Sequence, residues 1–220
     1  MESFQNKHIN IHTHHPKGKG VEIVNLFPDG LVSGQLPELC SVGIHPWHIR
    51  DNWEQQFQKV EATAREHRVY AIGETGLDKL TDSSMDLQIE VFKKHIELSE
   101  RYQKPLIIHC VKAFNELIEL KKNIHPTASW IVHGFDKNLQ VADMLIRHEI
   151  YMSFGKALLK PDSNARKVLP EIPDEVYLLE TDDMEISIEE VYREAAGLVD
   201  LDEQKMKDLM FLNFINCFRI

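Results

Sequence analysis

The 220 residues, 43% hydrophobic and 27% charged, make an ordinary globular chain with enough apolar material for a core. A net charge of −10, with Lys and Arg scattered among more numerous carboxylates, excludes the broad basic face that coats duplex DNA, yet allows a local site where metal ions supply the positive charge. No apolar run approaches the roughly 20 residues of a membrane span. The first ten residues lack the basic and apolar segments of a secretory signal. Cys40, Cys110 and Cys217 show no CxxC spacing, so neither a disulfide framework nor a zinc knuckle is indicated and the expected compartment is the cytoplasm.

Short apolar runs alternate with longer amphipathic stretches, and no repeat or linker-like block divides them, so residues 1–220 read as a single domain. Strands are expected near 8–11, 21–27, 39–43, 69–73, 106–109, 130–133, 150–154 and 176–179. Several are apolar throughout, as in strands covered on both faces of a parallel sheet. Helices are expected near 53–66, 85–102, 112–122, 137–147, 162–169, 187–197 and 202–216. In the second, Ile89, Phe92, Ile96 and Ser99 form one inward stripe. The pattern predicts an α/β protein with a (β/α)8, TIM-barrel-like fold. Only about six residues separate "HTHH" from the second strand, too few for a crossover helix, so the first βα unit is expected to be abbreviated.

In such a fold the active site lies at the C-terminal ends of the strands. Polar residues close one apolar run after another: His12 and His14, His45, Glu74, His109, His133, then Glu180, Asp182 and Asp183, at intervals of one or two βα units. Any single one reads as a hydrogen-bonded core residue. So many at one end would cost several kcal/mol each if buried without compensation, and divalent cations compensate. His12 and His14, two apart on a strand, point the same way and can converge on one ion. Imidazole with carboxylate suits Zn, Mn, Fe or Ni, and mixed sites also take Mg. Trp47 can stack on a base or pack over the barrel rim, Phe135 reads as packing, and Lys156 reads as solvated in preference to a phosphate contact. His67, His95, His125 and His148 fall at the opposite end and are assigned no function.

The pieces "HTHH", "GIHPW", "AIGETGLD", "PLIIHC", "VHGF" and "LLETDD", in that order from about residue 10 to 183, resemble the TatD family of metal-dependent hydrolases, with a weaker echo at Asn213 and Phe218. The resemblance implies two divalent ions (Mg, Mn or Zn). His12, His14 and Asp182 would hold the first, Glu74 would bridge, and His109 and His133 would hold the second. Asp182 would also orient or deprotonate the attacking water, with Glu180 assisting. His45 would approach a substrate phosphate. The implied activity is phosphodiester hydrolysis, typically by a deoxyribonuclease or exonuclease. Two ions roughly 3.5–4 Å apart suit it by stabilising both attacking and leaving oxygens.

Departures lie in the substrate loops. In "HCVKAF", Val111 takes the position of a family Arg and Lys112 that of its Asp, so a bidentate phosphate contact is either lost or becomes a point-charge contact from Lys112. A family loop after "ETDD" is replaced by a helical pattern. The expected substrates are therefore DNA ends, short oligonucleotides or another small phosphoester, with no membrane and no obligate protein partner. The alternatives are hydrolysis of an amide, ester or lactone, and a non-catalytic metal-binding scaffold.

Overall fold

The computed structural model describes residues 4–31 and 36–220. The eight apolar runs become eight strands: β1 (Ile9–Thr13), β2 (Val21–Leu26), β3 (Cys40–Val42), β4 (Val69–Asp78), β5 (Leu106–Val111), β6 (Trp130–Val132), β7 (Ile150–Phe154) and β8 (Tyr177–Leu179). They form one sheet in the order β1 to β8. Among the described residues seven α-helices intervene or follow: α1 (Trp53–Ala64), α2 (Met85–Tyr102), α3 (Phe114–Ile124), α4 (Leu139–Arg147), α5 (Asn164–Val168), α6 (Ile188–Leu198) and α7 (Glu203–Phe218). This is the (β/α)8 class. No described helix is long and apolar enough to cross a membrane. Packing divides the chain into two compact units, Met1–Val24 with Val132–Ile220, and Asn25–Ile131.

In the discontinuous unit, β1 pairs in parallel with β2, Ile9 lying opposite Val21 and Asn10 opposite Glu22. The connection 14–20 holds no helix, as its length requires. Its close return depends on Gly20, at φ +78, where a Cβ would run into the carbonyl oxygen of His8. On its other side β1 meets the end of β8. The N–H of Asp182 donates to His12 O at 3.0 Å, the N–H of His14 donates to Asp182 O at 2.9 Å, and Thr13 bridges to Asp182. Side chains reinforce the seam: Asn10 Oδ1 accepts from Thr181 N–H, and Asn10 Nδ2 donates to Thr181 Oγ1, at 3.0 and 2.9 Å. From α6, the Tyr192 hydroxyl accepts from Ile9 N–H and donates to Ile9 O, satisfying buried strand backbone. Ile9, Ile11, Phe135, Phe154 and Phe214 fill the core, each almost fully buried. Asn213 on α7, the faint echo in the sequence, donates to the carbonyls of Asp174 and Tyr177 and so anchors the entry to β8.

In the contiguous unit, β4 pairs in parallel with β3 and β5 and runs five residues past its expected end at Gly73. Gly73 and Gly76 are what allow the extension, each passing close to the backbone of β5. Gly76, at φ +142, passes so close to β5 that a Cβ would collide with the backbone of His109. The strand thereby carries Glu74 and Asp78 to the C-terminal end of the sheet, where Asp78 lies opposite Val111 of β5. Helix α2 is capped by Ser84, whose Oγ accepts from Leu87 N–H. It buries Val91, Phe92, Ile96, Leu98 and Ser99, while Ile89 is only half-buried. His95 lies fully buried in this face. Its Nδ1 bonds to Val91 O at 2.8 Å and its Nε2 accepts from Ile44 N–H at 3.0 Å, tying α2 to the end of β3. Burial lowers its pKa to about 4, so it is neutral at physiological pH.

Candidate metal-binding clusters

Each unit gathers its own set of donors. In the discontinuous unit the alternation of β1 sends His12, wholly buried, and His14 toward Asp182. Their Nε2 atoms lie 3.6 and 3.8 Å from the same Asp182 Oδ1. His133, just past β6, brings its ring to 4.5 Å from that of His12, and ligand atoms of His12, His133 and Asp182 all fall within 4.8 Å of one another. Within this unit His133 thus groups with His12, whereas the resemblance paired it with His109. Asp182 sits at φ +54, a left-handed turn that Asp tolerates better than most residues.

Lys156, after β7, was expected to be solvated. Its Nζ instead lies 3.1 Å from Asp182 Oδ2 and 2.5 Å from Asp183 Oδ1. Burial works against its charge, but the two carboxylates prevail and push its pKa up. Asp182 shows the converse. Burial alone would raise its pKa, but the His12 hydrogen bond and the charges of His133, His12 and Lys156 hold it well below the usual carboxylate range.

Glu180 stands behind His133. Fully buried, it accepts from Gly134 N–H at 2.7 Å through Oε1, takes the Ser153 hydroxyl through Oε2, and lies 3.6 Å from His133 Nδ1. Phe135 packs as expected, 1% exposed and 5.4 Å from the Phe154 ring.

In the contiguous unit, Glu74 Oε1 lies 3.1 Å from His45 Nε2 and 3.3 Å from His109 Nδ1. Asn25 on β2 fixes the strand beneath it, its Oδ1 accepting Glu74 N–H at 2.6 Å. The far side of His109 meets Asp78, Nε2 to Oδ2 at 3.0 Å. Asp78 is held in turn by Leu80 N–H on Oδ1 and the Trp47 indole N–H on Oδ2, at 2.8 and 2.7 Å, while Gln88 brackets its backbone. Burial opposes ionisation of Asp78, but donation from Leu80, Trp47 and His109 lowers its pKa overall.

His109 stands between two carboxylates; the nearer, Asp78, takes the Nε2 hydrogen, which leaves Nδ1 on the Glu74 side able to ligate an ion, as where a carboxylate backs a metal-ligating histidine. His45 is the same Nε2–H tautomer but is turned the other way, with Nε2 facing Glu74. Its Nδ1 accepts Trp47 N–H at 3.1 Å, so Nε2 carries the hydrogen and points at Glu74. Burial lowers the His45 pKa against the pull of Glu74. His45 is therefore a neutral donor suited to an anionic oxygen. Lys112 follows β5 in a left-handed conformation, exposed. Asp78 and Asn25 escaped the sequence reading, and Lys156 was read there without its Asp182 partner. The only signal for Asp78 was its place at the end of "GETGLD".

The donor chemistry fits divalent metal: each cluster offers imidazole nitrogens and carboxylate oxygens converging at a strand's C-terminal end, where buried charge needs a counter-ion. Fold and clusters together define a (β/α)8 protein with metal-capable strand ends. The chain belongs to the TatD-related DNase family, whose model matches residues 32–219 and so leaves His12 and His14 outside it. It is 32% identical over 146 residues to YabD, an uncharacterized metal-dependent hydrolase of Bacillus subtilis, covering 65% of this chain and 57% of that protein. To the 3′-5′ ssDNA/RNA exonuclease TatD of Yersinia pseudotuberculosis it is 31% identical over 162 residues, covering 69% and 60%. The chain thus spans less than two thirds of these relatives' length. The crystal structure of the TatD homolog YjjV of Escherichia coli superposes with a TM-score of 0.82 at 22% identity, covering 98% of this chain and 99% of that one, a likeness of fold.

Proposed function

We propose that the protein is a divalent-metal-dependent phosphodiesterase acting on the ends of DNA or on short oligonucleotides. The observation that carries this reading is the geometry around Glu74, whose Oε1 lies 3.3 Å from Nδ1 of His109, backed by Asp78 on its other nitrogen, and 3.1 Å from Nε2 of His45, the nitrogen that can donate to an anion. Relatives named as a 3′-5′ ssDNA/RNA exonuclease and, in human, a 3′-5′ RNA nuclease support the substrate class. In this reading His12, His14, His133 and Asp182 hold one ion, and Glu74 and His109 contribute to holding another. The imidazole-rich first set suits Zn or Mn better than Mg. Bound ions would supply Lewis-acid stabilisation of the phosphoryl group and ease deprotonation of the attacking water.

The chain's own residues do the rest. Asp182, kept ionised, orients the water and takes up its proton. His45 Nε2–H donates to a non-bridging phosphoryl oxygen, and Lys156 and Lys112 offer point charges. Glu180 fixes the orientation of His133, and Asp78 that of His109. Residues 1–220 act as a single domain in the cytoplasm, a reading in keeping with three buried free cysteines.

The test uses metal-stripped protein, bis-p-nitrophenyl phosphate and a short end-labelled single-stranded DNA, with Mg, Mn and Zn restored separately. Turnover should return with metal and fall about 10²- to 10⁴-fold in Asp182→Ala. Metal-independent turnover, an undiminished Asp182→Ala, or no turnover with any ion would each overturn the reading.

A further inference from the structure

Trp47 is 57% exposed, yet it is held from three directions. Its indole N–H donates to Asp78 Oδ2 at 2.7 Å, and its backbone N–H donates to His45 Nδ1 at 3.1 Å. Its ring stands 5.2 Å from that of His45 and 6.0 Å from that of His109, at interplanar angles of 84° and 72°. More than half of this side chain is open to solvent although its indole N–H is tied down, and it stands beside two residues of the Glu74 cluster. Asp78 fixes a second exposed apolar residue as well: its Oδ1 accepts Leu80 N–H, and Leu80 is 66% exposed. Two unsheltered apolar side chains therefore hang from the one carboxylate that also holds His109.

We propose that the exposed face of Trp47 is a stacking platform for a nucleobase, which makes an unpaired nucleotide, rather than a bare phosphodiester, the preferred substrate. The proposal rests on the phosphodiesterase reading and narrows it. Stacking suits the task because every base has a π-face, so it adds affinity without sequence preference. A platform fixed before binding loses little side-chain entropy when the base arrives. A base inside a duplex is already stacked on both faces and cannot reach the indole. The platform therefore selects single-stranded or frayed ends, in keeping with a net charge of −10 that disfavours clamping a duplex by its backbone.

The experiment compares metal-loaded wild type, Trp47→Ala and Trp47→Phe on two short single-stranded DNAs, one ending in a normal nucleotide and one in a base-free residue. The quantity read is the ratio of kcat/KM for the two. Loss of the indole N–H loosens Asp78 and His109 for both substrates alike, so it cancels in the ratio. Wild type should favour the base-bearing end by about 10- to 100-fold. Trp47→Ala should bring the ratio near unity, and Trp47→Phe, which keeps an aromatic face, should retain most of it. A wild-type ratio near unity, or an unchanged ratio in Trp47→Ala, would overturn the platform. Calorimetric titration of metal-stripped protein with dAMP and with deoxyribose 5-phosphate reads the same preference without turnover. If no phosphodiester is hydrolysed, the parent reading fails, and the titration still decides for or against Trp47.

Discussion

The two units build their clusters by different means. In the contiguous unit the donors come from neighbouring βα segments and are backed in layers: Asn25 under Glu74, Asp78 behind His109, Gln88 behind Asp78. In the discontinuous unit, His12 and His14 meet Asp182 only because the first strand is laced to the last, and a lysine beside Asp182 supplies positive charge. One cluster is oriented by hydrogen bonds, the other by backbone seam and charge balance. The contrast predicts different sensitivities.

Acid should expose the first difference most strongly. His95 holds the end of β3 through Ile44 N–H and is neutral when folded, with its pKa lowered from 6.5 to about 4. The unfolded chain therefore binds this proton first. The stability is fully present above pH 6.5 and is lost as the pH falls toward 4, by about 3 kcal/mol at the lower end. Urea unfolding from pH 7.5 to 4 should show this slope, and His95→Gln should flatten it. Equal slopes in the two proteins would refute the assignment.

Next in size is Asp78→Asn. An amide can present its NH₂ to His109 and favour the other tautomer, turning a hydrogen toward Glu74 in place of the lone pair. Metal affinity or kcat/KM should fall about 10- to 100-fold with little change in Tm. An equal loss in Asp78→Ala and Asp78→Asn would point to packing instead of tautomer control.

Smallest is Lys156→Met in the other unit. Its ammonium occupies Asp182 Oδ2 at 3.1 Å, so a divalent ion must displace or share that contact. Removing it should tighten Zn or Mn binding several-fold by calorimetry, following the loss of like-charge repulsion. Weaker binding would mean that Lys156 instead preorganises the aspartate.

Much of this was legible because it is periodic or punctuated. All eight strands and seven helices fell near their expected places, and the ligand candidates announced themselves by closing apolar runs. The end of β4 was misread at Gly73, and only the neighbouring backbone reveals that this glycine and Gly76 permit close approach. Asp78 and Asn25 act on residues 31 and 49 positions away, and Lys156 binds Asp182 and Asp183, the second 27 positions ahead of it, contacts that local pattern does not encode. His95 shows the same limit. It was assigned no function, yet it anchors the backbone next to His45.

The β1–β8 seam also imposes an order of events on synthesis. Asn10 and Thr181 are 171 residues apart, and closing so long a loop costs about 2 kcal/mol more than closing one a tenth as long. Residues 25–131 can complete their contacts while β8 is still unmade. His12 and His14 are made long before their carboxylate, so this cluster matures only after β8 has been translated.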